Sequence, residues 1–441
     1  MIHLEQKIEN DYPKSIYISY WDGNGKKQLK KLDIPKSELF EWEECTSATM
    51  STADPTYKSA FGNPVRKIPV RKYRKLSKYR IYELLSRLPE SLKETIFAPN
   101  QPEKTYYDIE TESTGSFPNA KNPKHKVLSN AFVTGNVVEL YGLAALTPEQ
   151  VKSITIRINN HLKKIKDRSL IKEEYIVKYT NYNSEEKLMM AMNHKRRYEI
   201  NMLLGWNSLK FDDQYLSNRG ITMYGIDLYN VEVKHRNYKF MRSASPTNGH
   251  FVLRIVDKFA KNQEKVQVPV PYHSPTLDYM EIFEKFDRSL KTSMSLDAIA
   301  YSTLGIKKIE YSGNLQNLYE QDFETFLFYN AIDTILVQLI DKKAGTFETP
   351  IALASLVGVP IHDSLFAGVM CEKMFCDWYY QNKQVFVDEY VEKEKAGYAG
   401  GFVLEPKKGM IDDVFIYDFT SMFPSGMMAF NYGIDTMLGK T

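Results

Sequence analysis

Thr105-Tyr106-Tyr107-Asp108-Ile109-Glu110 reads as a strand whose alternate residues face opposite ways. Asp108 and Glu110, two apart, share one face, while Tyr107 and Ile109 turn to the other. Two acids can then share metal ions while the strand stays anchored in a core. Alone the pair is a weak signal. The same Asp-x-Glu spacing recurs at Asp322-Phe323-Glu324, which reads as an exposed helix start.

Further along, the pattern is α/β. Ala131 to Glu139, continued by Leu140 and Tyr141, reads as a second strand, and Ser184 to Arg197 as a helix rich in Lys, Glu and Met. The apolar run Ile200 to Trp206 reads as a strand that ends in a turn at Asn207. Asn207-Ser208-Leu209-Lys210-Phe211-Asp212 follows, with Phe211 expected to bury behind Asp212 and fix its direction. An aspartate capping the next helix explains the same residues, and the neighbours Asp212 and Asp213 can fill both roles. Leu277 to Phe286 and Glu324 to Ile340 read as helices, the second strongly so by its period. Tyr329 and Asp333 stand four apart on it and share a face. Asp333 lies in an otherwise apolar stretch, where a carboxylate is costly unless paired or bound to a metal.

Asp108, Glu110, Asp212 and Asp333 together can hold two Mg²⁺ or Mn²⁺ ions about 3.5–4 Å apart around a phosphodiester. Oxygen-only ligands favour these hard cations over zinc. Tyr329 is placed to orient the attacking water. The chemistry indicated is the cutting of nucleic acid.

Composition sets wide bounds. The 441 residues suffice for two or three domains, and 43% hydrophobic with 26% charged residues is ordinary for a soluble protein. A formal net charge of +3 means that any nucleic-acid surface must be local. Arg66 to Arg80, with eight Lys and Arg residues interleaved with Tyr73 and Tyr79, is one such place, or a solvated loop and helix face. The three cysteines give neither a disulfide framework nor a zinc pattern, which points to a reducing compartment, and Cys371 and Cys376 read as core thiols. No signal peptide and no uninterrupted membrane-length apolar run is visible, so a cytoplasmic location is expected, that of a bacterial host if the gene is a phage's.

The order Asp-x-Glu, Asn-x-x-x-Phe-Asp, Tyr-x-x-x-Asp resembles the three exonuclease motifs of family B DNA polymerases, most closely the replicative enzymes of large tailed phages. Thr276 to Phe286, Ser295 to Ile299 and Tyr311-Ser312-Gly313 carry the same likeness. The resemblance implies an α/β, ribonuclease-H-like domain that removes mismatched 3′ ends with two metal ions, and DNA contacts at Asn207 and Phe211. Tyr398-Ala399-Gly400-Gly401 resembles the Tyr-x-Gly-Gly motif that contacts template DNA, although an ordinary Gly-Gly turn gives the same residues. Asp418-Phe419-Thr420-Ser421-Met422-Phe423-Pro424-Ser425 resembles polymerase motif A. It implies a metal ligand at Asp418, reached by the strand Val414 to Tyr417, and a nucleotide site along Ser421, Met422 and Phe423. Phe423 stands where the family has its tyrosine gate against ribose.

The domains expected are an N-terminal segment at 1–104, the exonuclease at 105–341, a helical return to the N-terminal domain at 342–388, and the start of a polymerase palm at 389–441. Tyr229 to Gln267 is expected to form a projecting hairpin. The family's motifs B and C do not follow, so the reading is the N-terminal half of a split polymerase. Polymerisation is expected to need a C-terminal half on a separate chain, with primer–template DNA as substrate and a sliding clamp as a candidate partner. A free-standing 3′–5′ exonuclease and a non-catalytic nucleic-acid-binding subunit are the competing readings. Gly439-Lys440-Thr441 is not a nucleotide-binding loop, since the interval from Gly433 is one residue too long.

Overall fold

The computed structural model describes residues 1, 3–113, 118–224, 251–255, 267–271, 276–289, 291–309, 315–387, 404–405, 409–415 and 417–432. Tyr398, Gly400, Gly401, Tyr311 to Gly313 and most of the expected hairpin lie outside these residues. The chain divides into two compact units, Met1–Pro35 with Leu88–Met374, and Lys36–Arg87 with Phe375–Thr441.

The first unit opens with an antiparallel sheet, β1 (His3–Glu9), β2 (Tyr12–Trp21) and β3 (Lys27–Asp33). Its main element is a six-stranded mixed sheet. The strands are β4 (Lys104–Thr111), β5 (Val127–Thr134), β6 (Val137–Gly142), β7 (Ile176–Asn181), β8 (Met202–Gly205) and β9 (Thr276–Asp278), in the order β7-β6-β5-β4-β8-β9. β4, β5 and β6 form an antiparallel meander, while β8 and β9 add in parallel beyond β4. The acidic strand is therefore central, which explains why it is buried along nearly its whole length.

Helices cover both faces of this sheet. On one side α1 (Pro148–Leu162), α5 (Leu296–Leu304) and α7 (Phe323–Ala344) bury Ile154, Ile299 and Leu336 in a cluster with Tyr106, Ala131 and Leu204. On the other, α2 (Glu185–Tyr198) and α3 (Asp212–Arg219) place Leu188, Met192 and Leu216 against Tyr107, Ile109 and Phe132. Tyr106 and Tyr107 thus go to opposite cores, the period-two alternation expected of a strand. The unit also contains α4 (Tyr279–Phe286) and α6 (Leu315–Gln321). By length and composition α7 could cross a bilayer, but it is 78% buried over its most apolar window and carries Asp333 inward, so it is a core helix.

Several local expectations are corrected. The apolar run 131–141 is two strands joined at Thr134–Val137, where Gly135 takes φ +60°. Leu277 and Asp278 belong to β9, and Asp278 then caps α4 through the Met280 N–H at 3.0 Å. Cys371 is exposed, whereas Cys376 is buried as expected.

In the second unit Phe40–Glu44 pairs antiparallel with Val65–Pro69, and Lys58–Ser59 pairs parallel with Gln384–Val385. Its basic run is not one surface. Arg66 pairs with Glu43 at 2.5 Å and Lys67 with Asp54 at 3.4 Å, while Arg80 is buried between Glu38 and Glu83. Arg71 to Lys75 is its longest exposed stretch, and Lys67 and Lys78 are exposed as well. Val414, Phe415 and Tyr417 are not in strand conformation, in keeping with a strand that has no sheet neighbour among the described residues.

Candidate active site

β4 carries Asp108 opposite Ala131 and Glu110 opposite Ser129, at the middle of the sheet. α7 lies across the same face. Tyr106 donates to Asp341 near the end of that helix, and Asn330 Nδ2 donates to Asp108 Oδ2 at 3.1 Å. Carboxylate oxygens of Asp108, Glu110 and Asp333 all lie within 4.8 Å of one another. Asp212 comes from the first turn of α3, and its Oδ1 accepts from the Ile109 N–H at 3.2 Å, between the two acids of the strand. The structure thus brings together all four carboxylates that the sequence singled out.

The turn before α3 explains the Asn207 motif. Asn207 has φ +59°, a left-handed conformation that asparagine tolerates. Its N–H donates to Asp278 Oδ1 at 2.9 Å. Gly205 is required just before it, because a Cβ there would meet Ser208 Cβ at 2.5 Å. Phe211 is half-buried and stacks toward Tyr215 rather than disappearing behind Asp212. Asp213, not Asp212, takes the structural role. It is fully buried, paired with Arg196, and accepts the Tyr107 hydroxyl at 2.5 Å.

Without a cation the cluster is electrostatically costly. Burial, and then the charge of Asp333, pushes Asp108 up to about 7. Burial and then Asp108 hold Glu110 well above the usual carboxylate range, and burial, Asp108 and Asp213 do the same to Asp212. Burial also raises Asp333, opposed by Lys308. Lys308 Nζ bonds Asp333 Oδ2 at 2.5 Å and lies 3.4 Å from the Tyr329 hydroxyl, which itself hydrogen-bonds Asp333. Lys308 is itself raised above its ordinary value, burial working against the pull of Asp333.

Asp333 Oδ1 is buried with no hydrogen-bond partner. An orphaned carboxylate oxygen in an all-oxygen donor set is what a hard divalent cation would satisfy. The residues present therefore fit a metal site.

Lys308, Asn330 and Asp278 were missed by the sequence reading. Asn330 had a signal, a polar residue inside the same apolar helix as Asp333. Lys308 had none, since only the chain's return after α5 carries it to α7. Asp418 and Ser421 to Phe423 belong to the second unit and are exposed.

Comparison with known proteins agrees with this geometry. The family described as DNA polymerase family B, exonuclease domain, matches residues 63–299, and DNA polymerase family B matches residues 369–441. A DNA-directed DNA polymerase of Escherichia phage RB69 is 24% identical over 340 residues, 76% of this chain and 35% of that protein. The DNA-directed DNA polymerase of Enterobacteria phage T4 is 24% identical over 262 residues, 58% of this chain and 27% of that protein. A DNA polymerase 2 of Aeropyrum pernix is 42% identical over 52 residues, 12% of this chain and 6% of that protein. The chain thus spans about a third of the length of the phage relatives it matches.

Proposed function

Because the chain belongs to DNA polymerase family B, with an exonuclease domain and part of a polymerase domain, we propose that it is a 3′–5′ proofreading exonuclease joined to the first part of a DNA-directed DNA polymerase. The observation that carries this reading is the convergence of Asp108, Glu110 and Asp333 within 4.8 Å, with Asp212 tied to the same strand.

Asp108, Glu110, Asp212 and Asp333 would hold two Mg²⁺ or Mn²⁺ ions. Bound there, such ions activate water as a nucleophile and stabilise charge on the leaving 3′-oxygen. Lys308 opposes the effect of burial on Asp333, and Asn330 holds Asp108 through a hydrogen bond. Tyr329, held by Lys308 and Asp333, presents a hydroxyl that orients the attacking water. Asn207, Phe211 and the Tyr398, Gly400, Gly401 segment contact the DNA strand.

In the polymerase portion Asp418 supplies one metal ligand, and Ser421, Met422 and Phe423 line the nucleotide site. One carboxylate does not make a two-metal site. Polymerisation therefore calls for the rest of the palm, which we assign to a C-terminal half. The nuclease domain is assigned to 105–341, with 1–104, 342–388 and 389–441 as its flanking segments. Work on DNA replication in a host cytoplasm follows for a phage-encoded enzyme. No described residue speaks to a sliding clamp.

The test is a primer–template carrying either a matched or a mismatched 3′ end, incubated with the purified chain, Mg²⁺ and all four deoxynucleotides. Faster removal of the mismatched nucleotide, with no net extension, is expected. Extension by this chain alone would overturn the division of labour. No removal from either primer would favour a nucleic-acid-binding subunit.

A further inference from the structure

Next to Lys308 lies a cavity of ≈ 390 Å³ that the nuclease reading does not use. Its walls are the end of α1, the stretch Gly305 to Ile309 after α5, and Phe328 of α7. That volume lies within the ~300–1,000 Å³ typical of small-molecule sites. Among the described residues no acidic one lines it, whereas Lys164, Lys307 and Lys308 do. α1 and α5 both end there, and each C-terminus contributes about half a negative charge. Lys308 is committed to Asp333. Among the described residues Lys164 and Lys307 thus outweigh the two helix ends.

The remaining walls are flat and apolar. Phe328 is 6% exposed, with the Arg157 guanidinium 4.5 Å from its ring centre and His161 edge-on at 6.2 Å. Tyr301 stands open to solvent with Lys307 Nζ 5.5 Å from its ring centre. Cations beside aromatic faces suit a ligand with a phosphate at one end and a planar base at the other. The same loop is mechanically tied to the carboxylates. Asp297 holds the Lys308 N–H at 2.8 Å, and the Lys308 side chain reaches Asp333.

We propose that this cavity binds a nucleoside monophosphate, with its phosphate on Lys164 and Lys307 and its base against the open ring of Tyr301. Resting on the nuclease reading, we assign it a feedback role. The product occupies the cavity, shifts the 305–309 loop and withdraws Lys308 from Asp333.

Calorimetric titration of dAMP into the full chain in EDTA measures binding without metal or turnover. Saturable binding of one dAMP is expected, unchanged in Asp108→Ala. In the double variant Lys164→Glu/Lys307→Glu, both exposed positions, the affinity should fall about tenfold or more, as loss of charge-assisted contacts to phosphate implies. Added dAMP should slow digestion by the unmodified chain and not by the double variant. No binding, or equal binding of inorganic phosphate, would overturn the proposal. So would loss of binding in Asp108→Ala, which would move the nucleotide to the carboxylates. Tighter, lysine-dependent binding of an end-blocked single-stranded oligonucleotide that displaces dAMP would give the cavity to DNA instead. If the chain proved not to be a nuclease, the EDTA titration would still decide whether the cavity takes a nucleotide.

Discussion

Lys308 is the residue on which the electrostatics of the site turn. It faces Asp333 and Tyr329 at once, so its removal should push Asp333 further up and take away a partner of Tyr329. Lys308→Ala is expected to lower single-turnover digestion about 10²-fold, the usual cost of losing one preorganised charged group, with little change in KM. Lys308→Arg should restore part of the rate, and an alanine variant of normal rate would remove Lys308 from the site. A second residue tests the fold through pH. Asp278 is buried, and burial pushes it up to about 7, against about 3.9 for an unfolded aspartate. The native state therefore holds this proton between about pH 4 and 7 after the unfolded chain has lost it. Stability contributed here falls as pH rises through that window, by about 1.4 kcal/mol for each pH step of one. Asp278→Asn keeps the acceptor for Asn207 and should flatten the dependence of Tm on pH between about 4 and 7. An unaltered profile would mean that Asp278 is ionised in the fold.

At the level of elements, α3 owes its position to the buried pair Asp213–Arg196, and through it Asp212 is aimed at β4. Breaking a buried pair by removing one partner costs about 3–5 kcal/mol. Asp213→Ala should therefore lower Tm by several degrees, and Arg196→Met in the same chain should recover much of it. A single variant with wild-type Tm would show that the pair does not hold α3. β4 and α7 were legible from their aromatic and apolar content, although both are buried almost throughout rather than on one face. Asp108, Glu110 and Asp333 could be picked out because carboxylates interrupt those apolar patterns. Asp212 was ambiguous with Asp213 because both begin a helix, and only packing decides which one Arg196 takes. Lys308 left no trace in the sequence, since its function comes from a contact across 25 positions rather than from periodicity. The split of the apolar run 131–141 was equally hidden, because only the turn at Gly135 reveals two strands.

For the whole molecule, the nuclease carboxylates are assembled in a buried cluster, whereas the polymerase residues are exposed. Asp418, Met422 and Phe423 lie open in the second unit. If the proposed C-terminal half is a separate chain, adding it should bury them and enable primer extension in the mixture. Failure of such a chain to bind would favour the free-standing exonuclease. Whether the four carboxylates cut DNA from its 3′ end is decided by digestion of a 5′-labelled single-stranded oligonucleotide in Mg²⁺. A ladder of products shortened one nucleotide at a time from the 3′ end is expected, abolished in Asp108→Ala/Glu110→Ala. Early release of the labelled 5′ nucleotide, or an unchanged ladder in the double variant, would contradict the assignment.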